Sequence, residues 1–173
     1  MRYVILCVAV VLAASVATVA ADGPVGAGRG AGTTLAQGTY TNPILSGDWS
    51  DPGLIRVGDV YYSVRSSFGW QPGLPIARSR DLLHWEYIGH GFASHPKLLP
   101  GDTRLGIWGV ELGFNPNTKQ YLIYAPTRDG EVFVYYADRP EGPYQVKSLG
   151  ANLGIDPGFF ADDDGRLYFM TNK

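Results

Sequence analysis

Beyond residue 40 the chain is a succession of short apolar runs separated by polar turns. β-Branched and aromatic residues fill the runs at 60–65, 120–125 and 131–137, and glycine, proline, asparagine and aspartate lie between them. The Arg-Asp-Gly segment at 128–130, between two of these runs, predicts a hairpin turn. Because helical signals are nearly absent, the pattern predicts an all-β fold.

A repeated order of residues divides these runs into units. Asp51 opens the first unit and Asp156 opens another, each followed by Pro-Gly, and a looser copy between them opens on Glu111. The intervals between these starts suit one four-stranded unit each. Units of four short strands predict a β-propeller rather than a β-sandwich, with about two blades and the start of a third in this chain. Because a propeller ring closes only with about four or more blades, we expect the chain to be part of a longer protein.

The first 37 residues predict two segments that precede the folded domain. Residues 1–21 begin with a positive charge, continue with a mostly apolar run and end in small residues, which is typical of a secretory signal peptide. A membrane anchor is the alternative, but the apolar run is short for a bilayer span. Residues 22–37 are rich in glycine and alanine and predict a flexible leader, so the incomplete propeller domain occupies 38–173. The protein is therefore expected to be secreted and extracellular.

Composition argues against several classes of function. The single cysteine, Cys7, lies in the predicted signal peptide, so disulfides and cysteine-based sites are not expected in the mature chain. The formal net charge is −2 and no basic cluster is present, which argues against nucleic acid or an anionic membrane as a partner. The three histidines lack metal-ligand spacing. We therefore expect no cofactor and no metal site.

Four segments carry a resemblance to a known family. They are residues 42–53, 66–76, 79–85 and 154–165, and together they resemble the β-xylosidase and α-L-arabinofuranosidase branch of the family 43 glycoside hydrolases. The match runs from about residue 40 to residue 173, as an N-terminal fragment. The resemblance implies a five-bladed β-propeller that hydrolyses glycosidic bonds with inversion. It also implies an oligo- or polysaccharide substrate of the xylan or arabinan type from plant cell walls.

The resemblance implies a role for each of the two Asp-Pro carboxylates. It places the general base at Asp51 and, at Asp156, an auxiliary carboxylate that orients the general acid and raises the pKa of that acid. Inverting hydrolysis needs a base that activates water and an acid that protonates the leaving oxygen, and a nearby negative charge favours the protonated acid. The proline after each aspartate predicts an extended backbone at the aspartate. The alternative is that Asp-Pro-Gly is only a turn that starts a strand.

The general acid is expected to be absent from this chain. In the resembled enzymes it is a glutamate in a later part of the sequence, and no match for it occurs before Lys173. We therefore expect the chain by itself to be inactive. Glu141 stands in a Glu-Gly-Pro tripeptide like the one around that acid, but its place after Ala-Asp-Arg-Pro predicts a turn instead.

A set of four residues is predicted to bind the substrate. Phe68, Trp70 and Trp108 are candidates for a platform, since aromatic faces suit the C–H face of a sugar ring, although core packing is their alternative role. Glu111 either contacts a sugar hydroxyl or is solvated. The alternative function is a non-catalytic, lectin-like propeller that binds carbohydrate through the same aromatic residues. Inulin- or levan-cleaving propellers are the alternative enzyme class.

Overall fold

The computed structural model describes residues 4–6, 40–95, 97, 98 and 106–172. The predicted signal peptide and leader lie outside these residues, apart from the backbone of β1. The strands of the described part are β1 (Val4–Leu6), β2 (Gly53–Val57), β3 (Val60–Val64), β4 (Gly73–Ser79), β5 (Trp85–Phe92), β6 (Glu111–Asn115), β7 (Gln120–Pro126), β8 (Val132–Ala137), β9 (Gln145–Gly150), β10 (Ile155–Ala161) and β11 (Leu167–Asn172). No helix in these ranges is long and apolar enough to cross a membrane. The prediction of an all-β fold is confirmed.

The strands form three antiparallel sheets. The first sheet has the order β2-β3-β4-β5 and the second has the order β6-β7-β8-β9, which confirms the two predicted four-stranded units. The third sheet has the order β1-β11-β10, with Val4 opposite Thr171. The predicted hairpin joins β7 to β8, where the N–H of Gly130 donates to the carbonyl of Thr127 over 2.8 Å.

The residues of β7 contribute alternately to two hydrophobic cores. Tyr121, Ile123 and Ala125 belong to the core shared with the first sheet. Leu122 and Tyr124 belong to the core shared with the third sheet. Because successive side chains of a strand point to opposite faces, one strand can close two cores only if it is apolar throughout. The second sheet is therefore buried on both faces, which explains the unbroken apolar run in the sequence.

Two glycines let β2, β6 and β10, one strand from each sheet, approach one another closely. A Cβ at Gly53 in β2 would lie 2.7 Å from the backbone nitrogen of Leu112 in β6. A Cβ at Gly113 in β6 would lie 2.6 Å from Cδ1 of Phe159 in β10. Any larger residue would push the sheets apart. This close packing brings the beginnings of β2, β6 and β10 to one cavity.

Candidate functional site

The cavity where β2, β6 and β10 begin has a volume of about 470 Å³. Its lining residues in the described part of the chain are Ser50, Asp51, Phe68, Trp108, Gly109, Arg128, Ile155 and Asp156. The structure thus brings together both predicted carboxylates and two of the predicted aromatic residues. Their catalytic and binding roles stay predictions.

The two predicted carboxylate residues share an unusual backbone conformation. Asp51 has φ of +47° and Asp156 has φ of +51°, so both lie in the left-handed region. The prediction of an extended backbone before proline is therefore wrong at both positions. Aspartate tolerates this region better than most residues because its short polar side chain can bond locally. The conformation still costs on the order of 1–3 kcal/mol and persists only where surrounding contacts hold it.

Contacts from one serine and one glycine hold the two carboxylates. The hydroxyl of Ser66 donates to Oδ2 of Asp51 over 3.0 Å, and the N–H of Gly109 donates to that hydroxyl over 2.8 Å. Gly109 has φ of +54°, and a Cβ at this position would overlap Oδ1 of Asp156. The space that a side chain would fill at residue 109 is thus occupied by the Asp156 carboxylate. Ser66 and Gly109 therefore fix where the two carboxylates lie relative to one another.

Gly109→Ala is expected to lower the free energy of unfolding by about 2–4 kcal/mol, since it adds an overlap on Asp156 to the strain of a left-handed alanine. Gly58→Ala is the matched control, because Gly58 has φ of +60° and a Cβ there would meet nothing within 4 Å. Strain alone should cost this control about 1–2 kcal/mol. Urea unfolding measures both losses, and equal losses would contradict the close approach of residue 109 to Asp156.

Two aromatic rings form one wall of the cavity. Phe68 and Trp108 meet edge to face, with ring centroids 4.7 Å apart and an interplanar angle of 70°. Two backbone hydrogen bonds between Phe68 and Ile107, of 3.1 and 3.0 Å, and one of 3.0 Å from the Trp108 N–H to the Pro126 carbonyl fix the wall. The wall offers an apolar surface of the kind that suits the C–H face of a sugar ring.

Several residues of the site were not identified from the sequence, among them Arg128 and Ser66. Arg128 lines the cavity, and its guanidinium carbon lies 5.6 Å from the ring centroid of Trp108, within cation–π range. Ser66 contacts Asp51 from behind the cavity. The sequence pointed to these residues only through their neighbours: Arg128 adjoins the Asp-Gly hairpin turn, and Ser66 is the first residue of the segment 66–76. Neither signal indicates a functional role.

Two predicted substrate-binding residues do not line the cavity. Trp70 is 66% exposed. Glu111 is the half-buried first residue of β6, and its Oε1 accepts the N–H of Leu112 over 2.9 Å. Burial raises the pKa of Glu111 above its ordinary value, and the hydrogen bond from Leu112 opposes that shift in part. The binding roles of both residues stay predictions.

The raised pKa of Glu111 predicts a pH dependence of stability. The carboxyl of Glu111 loses its proton at a lower pH in the unfolded chain than in the folded chain. The stability that protonated Glu111 contributes is therefore fully present below the unfolded pKa and is lost as the pH rises through the folded pKa. Glu111→Gln should therefore raise the free energy of unfolding relative to wild type more at about pH 7 than at about pH 4. Urea unfolding across this range tests the prediction, which a pH-independent difference would contradict.

The other candidate residues of the sequence lie away from the cavity. Glu141 is in the turn between β8 and β9, where the N–H of Gly142 donates to the carbonyl of Arg139 over 3.0 Å, so the turn interpretation is confirmed. No three histidine, cysteine, aspartate or glutamate residues within the described ranges are grouped so that they could hold a metal ion. Of the acidic residues singled out in the sequence, Asp51 and Asp156 are those that reach the cavity.

Comparison with known proteins extends these observations. The family model described as glycosyl hydrolases family 43 matches residues 40–173. The chain is 35% identical over 143 residues to the xylan 1,3-beta-xylosidase of Vibrio sp, which covers 77% of this chain and 26% of that protein. It is 39% identical over 136 residues to a xylosidase/arabinosidase of Butyrivibrio fibrisolvens, with 76% and 26% covered. The chain thus spans about a quarter of the length of the curated relatives it matches.

A solved structure supports the same relationship. A variant of a GH43 protein from Bacillus licheniformis matches the described fold with a TM-score of 0.68 and 34% sequence identity. The match covers 77% of this chain and 29% of that one. Because the relationship extends over both four-stranded sheets, these sheets correspond to propeller blades.

Proposed function

This chain belongs to glycosyl hydrolases family 43, and we propose that the protein of which it forms part is a secreted, inverting glycoside hydrolase. The proposed substrates are xylosyl or arabinosyl linkages in plant cell-wall polysaccharide. The observation that carries the proposal is a single cavity at which two carboxylates, Asp51 and Asp156, face an aromatic wall. The named activities of the relatives support the choice of sugars. Secretion rests on the predicted signal peptide at 1–21.

We assign the general base to Asp51. Its ionised carboxylate takes a proton from a water molecule as the water oxygen bonds to the anomeric carbon and the glycosidic C–O bond breaks. The leaving oxygen takes its proton from a general acid, which in inverting enzymes lies roughly 6.5–9.5 Å from the base so that water fits between them. The negative charge of Asp156 favours the protonated form of that acid, because a nearby like charge disfavours its ionisation.

The general acid is proposed to come from outside this chain. Within the described residues, the carboxylates at the cavity are Asp51 and Asp156 alone, and both already have assigned roles. The remaining length of a family member would supply the acid together with the rest of a five-bladed propeller. In that propeller the first and second sheets are two blades, and β10 and β11 begin a third. The 173-residue chain by itself is therefore expected to show little or no hydrolysis.

We propose that the sugar ring at the cleavage point packs against the edge-to-face pair of Phe68 and Trp108. Arg128, beside Trp108, can donate hydrogen bonds to hydroxyl oxygens of the same sugar. Trp70 is exposed and is a candidate for contact with a more distant sugar of the polysaccharide. Glu111 is half-buried next to the cavity-lining segment and is a candidate for contact with a sugar hydroxyl.

Hydrolysis of 4-nitrophenyl β-D-xylopyranoside and 4-nitrophenyl α-L-arabinofuranoside tests the proposed function. The complete protein should hydrolyse at least one of them, and NMR of the first-formed sugar should show the inverted anomer. The 173-residue chain serves as the comparison without a general acid. Efficient hydrolysis by that chain would contradict the assignment of the acid elsewhere. Binding of xylo- or arabino-oligosaccharides by the complete protein without hydrolysis would favour the lectin-like alternative.

A further inference from the structure

Ser66 is fully buried, and every polar group that it carries is engaged in a hydrogen bond. Its N–H donates to the carbonyl of Ser50 over 3.1 Å, and its own carbonyl accepts from Arg65 over 2.8 Å. Its hydroxyl bonds to Gly109 and to Asp51, as described above. The residue therefore has one orientation in the fold, and its backbone is tied to the residue that directly precedes Asp51.

The direction of the hydroxyl hydrogen bond follows from its partners. The amide of Gly109 can only donate, so the Ser66 oxygen accepts from it. The single hydroxyl proton is then directed to Oδ2 of Asp51, which as a carboxylate oxygen accepts. The fixed Gly109 amide thus prevents the hydroxyl from turning away from Asp51.

We propose that Ser66 is a positioning residue for the general base. Rotation of a carboxylate about its terminal bond is only weakly restrained by the side chain itself. The bond from Ser66 fixes Oδ2 of Asp51 and so leaves Oδ1 to take the proton from water; in the described part of the chain, no hydrogen bond to Oδ1 is present. The inference rests on the proposed role of Asp51. Ser66 does not line the cavity and acts only through that carboxylate.

Ser66→Ala in the complete protein is expected to lower kcat on aryl xylosides or arabinofuranosides by about 10- to 100-fold, the equivalent of one hydrogen bond to a charged group. KM should change less than about twofold, because Ser66 is not in contact with the cavity. Ser67→Ala is the matched control. Ser67 is the next residue and is also buried, and its hydroxyl has no hydrogen-bond partner among the described residues. This control should retain the wild-type kcat.

Combining Ser66→Ala with Asp51→Gly tests whether Ser66 acts by positioning Asp51 or through a general effect on the structure. In Asp51→Gly the carboxylate is absent, and azide, which attacks without losing a proton, can replace the activated water. Ser66→Ala should not lower the azide-dependent rate further in this background, since its effect passes through Asp51. If Ser66→Ala does not fold, Ser66→Cys fills the same site with a slightly larger side chain and a much weaker donor, and it carries the same prediction.

The outcomes distinguish this inference from the proposed function. A wild-type protein that hydrolyses neither substrate overturns the proposed function. If the wild type is active, either of two results for the variants would overturn the Ser66 inference and leave the proposed function standing. In the first, Ser66→Ala and Ser67→Ala have equal kcat; in the second, Ser66→Ala lowers the azide-dependent rate of Asp51→Gly as much as it lowers the wild-type rate.

Discussion

Asp51→Asn should lower kcat of the complete protein by about 10³- to 10⁴-fold, near the upper end of what general base catalysis contributes. Asparagine keeps the shape of the side chain and an oxygen that accepts the bond from Ser66, but its amide cannot take a proton from water. KM should change little, because the walls of the cavity stay in place. The loss should be equally large for good and poor leaving groups, since water must attack in both cases. Steady-state rates on a series of aryl glycosides measure it.

Asp51→Gly distinguishes loss of the base from damage to the fold. Glycine adopts the φ of +47° without strain, and removal of the carboxylate leaves room in the cavity for a small anion to attack in place of water. Azide should therefore increase turnover and form a glycosyl azide of inverted configuration. Asp59→Asn is the control, because Asp59 is exposed in the turn between β2 and β3, 3.9 Å from Arg56. Wild-type activity in Asp51→Asn would contradict the assignment of the base.

Much of the fold could be predicted from the sequence because strand signals are local. The run at 120–125 becomes β7, and the run at 131–137 becomes β8 almost residue for residue. The recurring carboxylate starts also marked one strand of each sheet, namely β2, β6 and β10. The composition of the third sheet could not be predicted in this way. Its edge strand β1 lies 161 residues before the start of its partner β11 (Leu6 to Leu167), within the segment predicted as a signal peptide.

The geometry of the site could be predicted only in part, because tertiary contacts decide it. Proline biases the residue before it toward an extended backbone, yet the packing around Asp51 and Asp156 overrides that bias. Ser66 lies 15 residues from Asp51 and 43 from Gly109 in sequence, and such distant contacts leave no local pattern. The type of a residue also does not indicate whether its side chain points into the cavity or toward solvent.

The aromatic residues of the segment 66–76 illustrate this limit. Phe68 and Trp70 are two positions apart and were predicted to have the same role, yet Phe68 lines the cavity and Trp70 is largely exposed. The backbone of Phe68 is held by its hydrogen bonds to Ile107, which lies in the segment before β6 and also forms a bridge with Thr127. The partner segment therefore determines which of the two rings reaches the cavity, and the sequence around Phe68 does not encode that choice.

Asp156→Asn should lower kcat by about 10²- to 10³-fold on substrates whose leaving group needs a proton. In the proposed mechanism the charge of Asp156 favours the protonated form of the general acid, as a like charge does. Without that charge, a smaller fraction of molecules carries the proton at the working pH, and the acid also loses a group that orients it. Asparagine has nearly the same volume, so its fit beside Gly109 should be preserved.

The leaving group separates the roles of the two aspartates. A 2,4-dinitrophenolate departs without protonation, so Asp156→Asn should recover most of its activity on a 2,4-dinitrophenyl glycoside, whereas Asp51→Asn should not. Asp163→Asn is the control for loss of a charge from the same hairpin, since Asp163 is exposed in the turn between β10 and β11. Equal losses for both aspartate variants on both leaving groups would contradict this division. Little or no loss in Asp156→Asn would instead indicate a structural role, because asparagine fills the space beside Gly109 without carrying a charge.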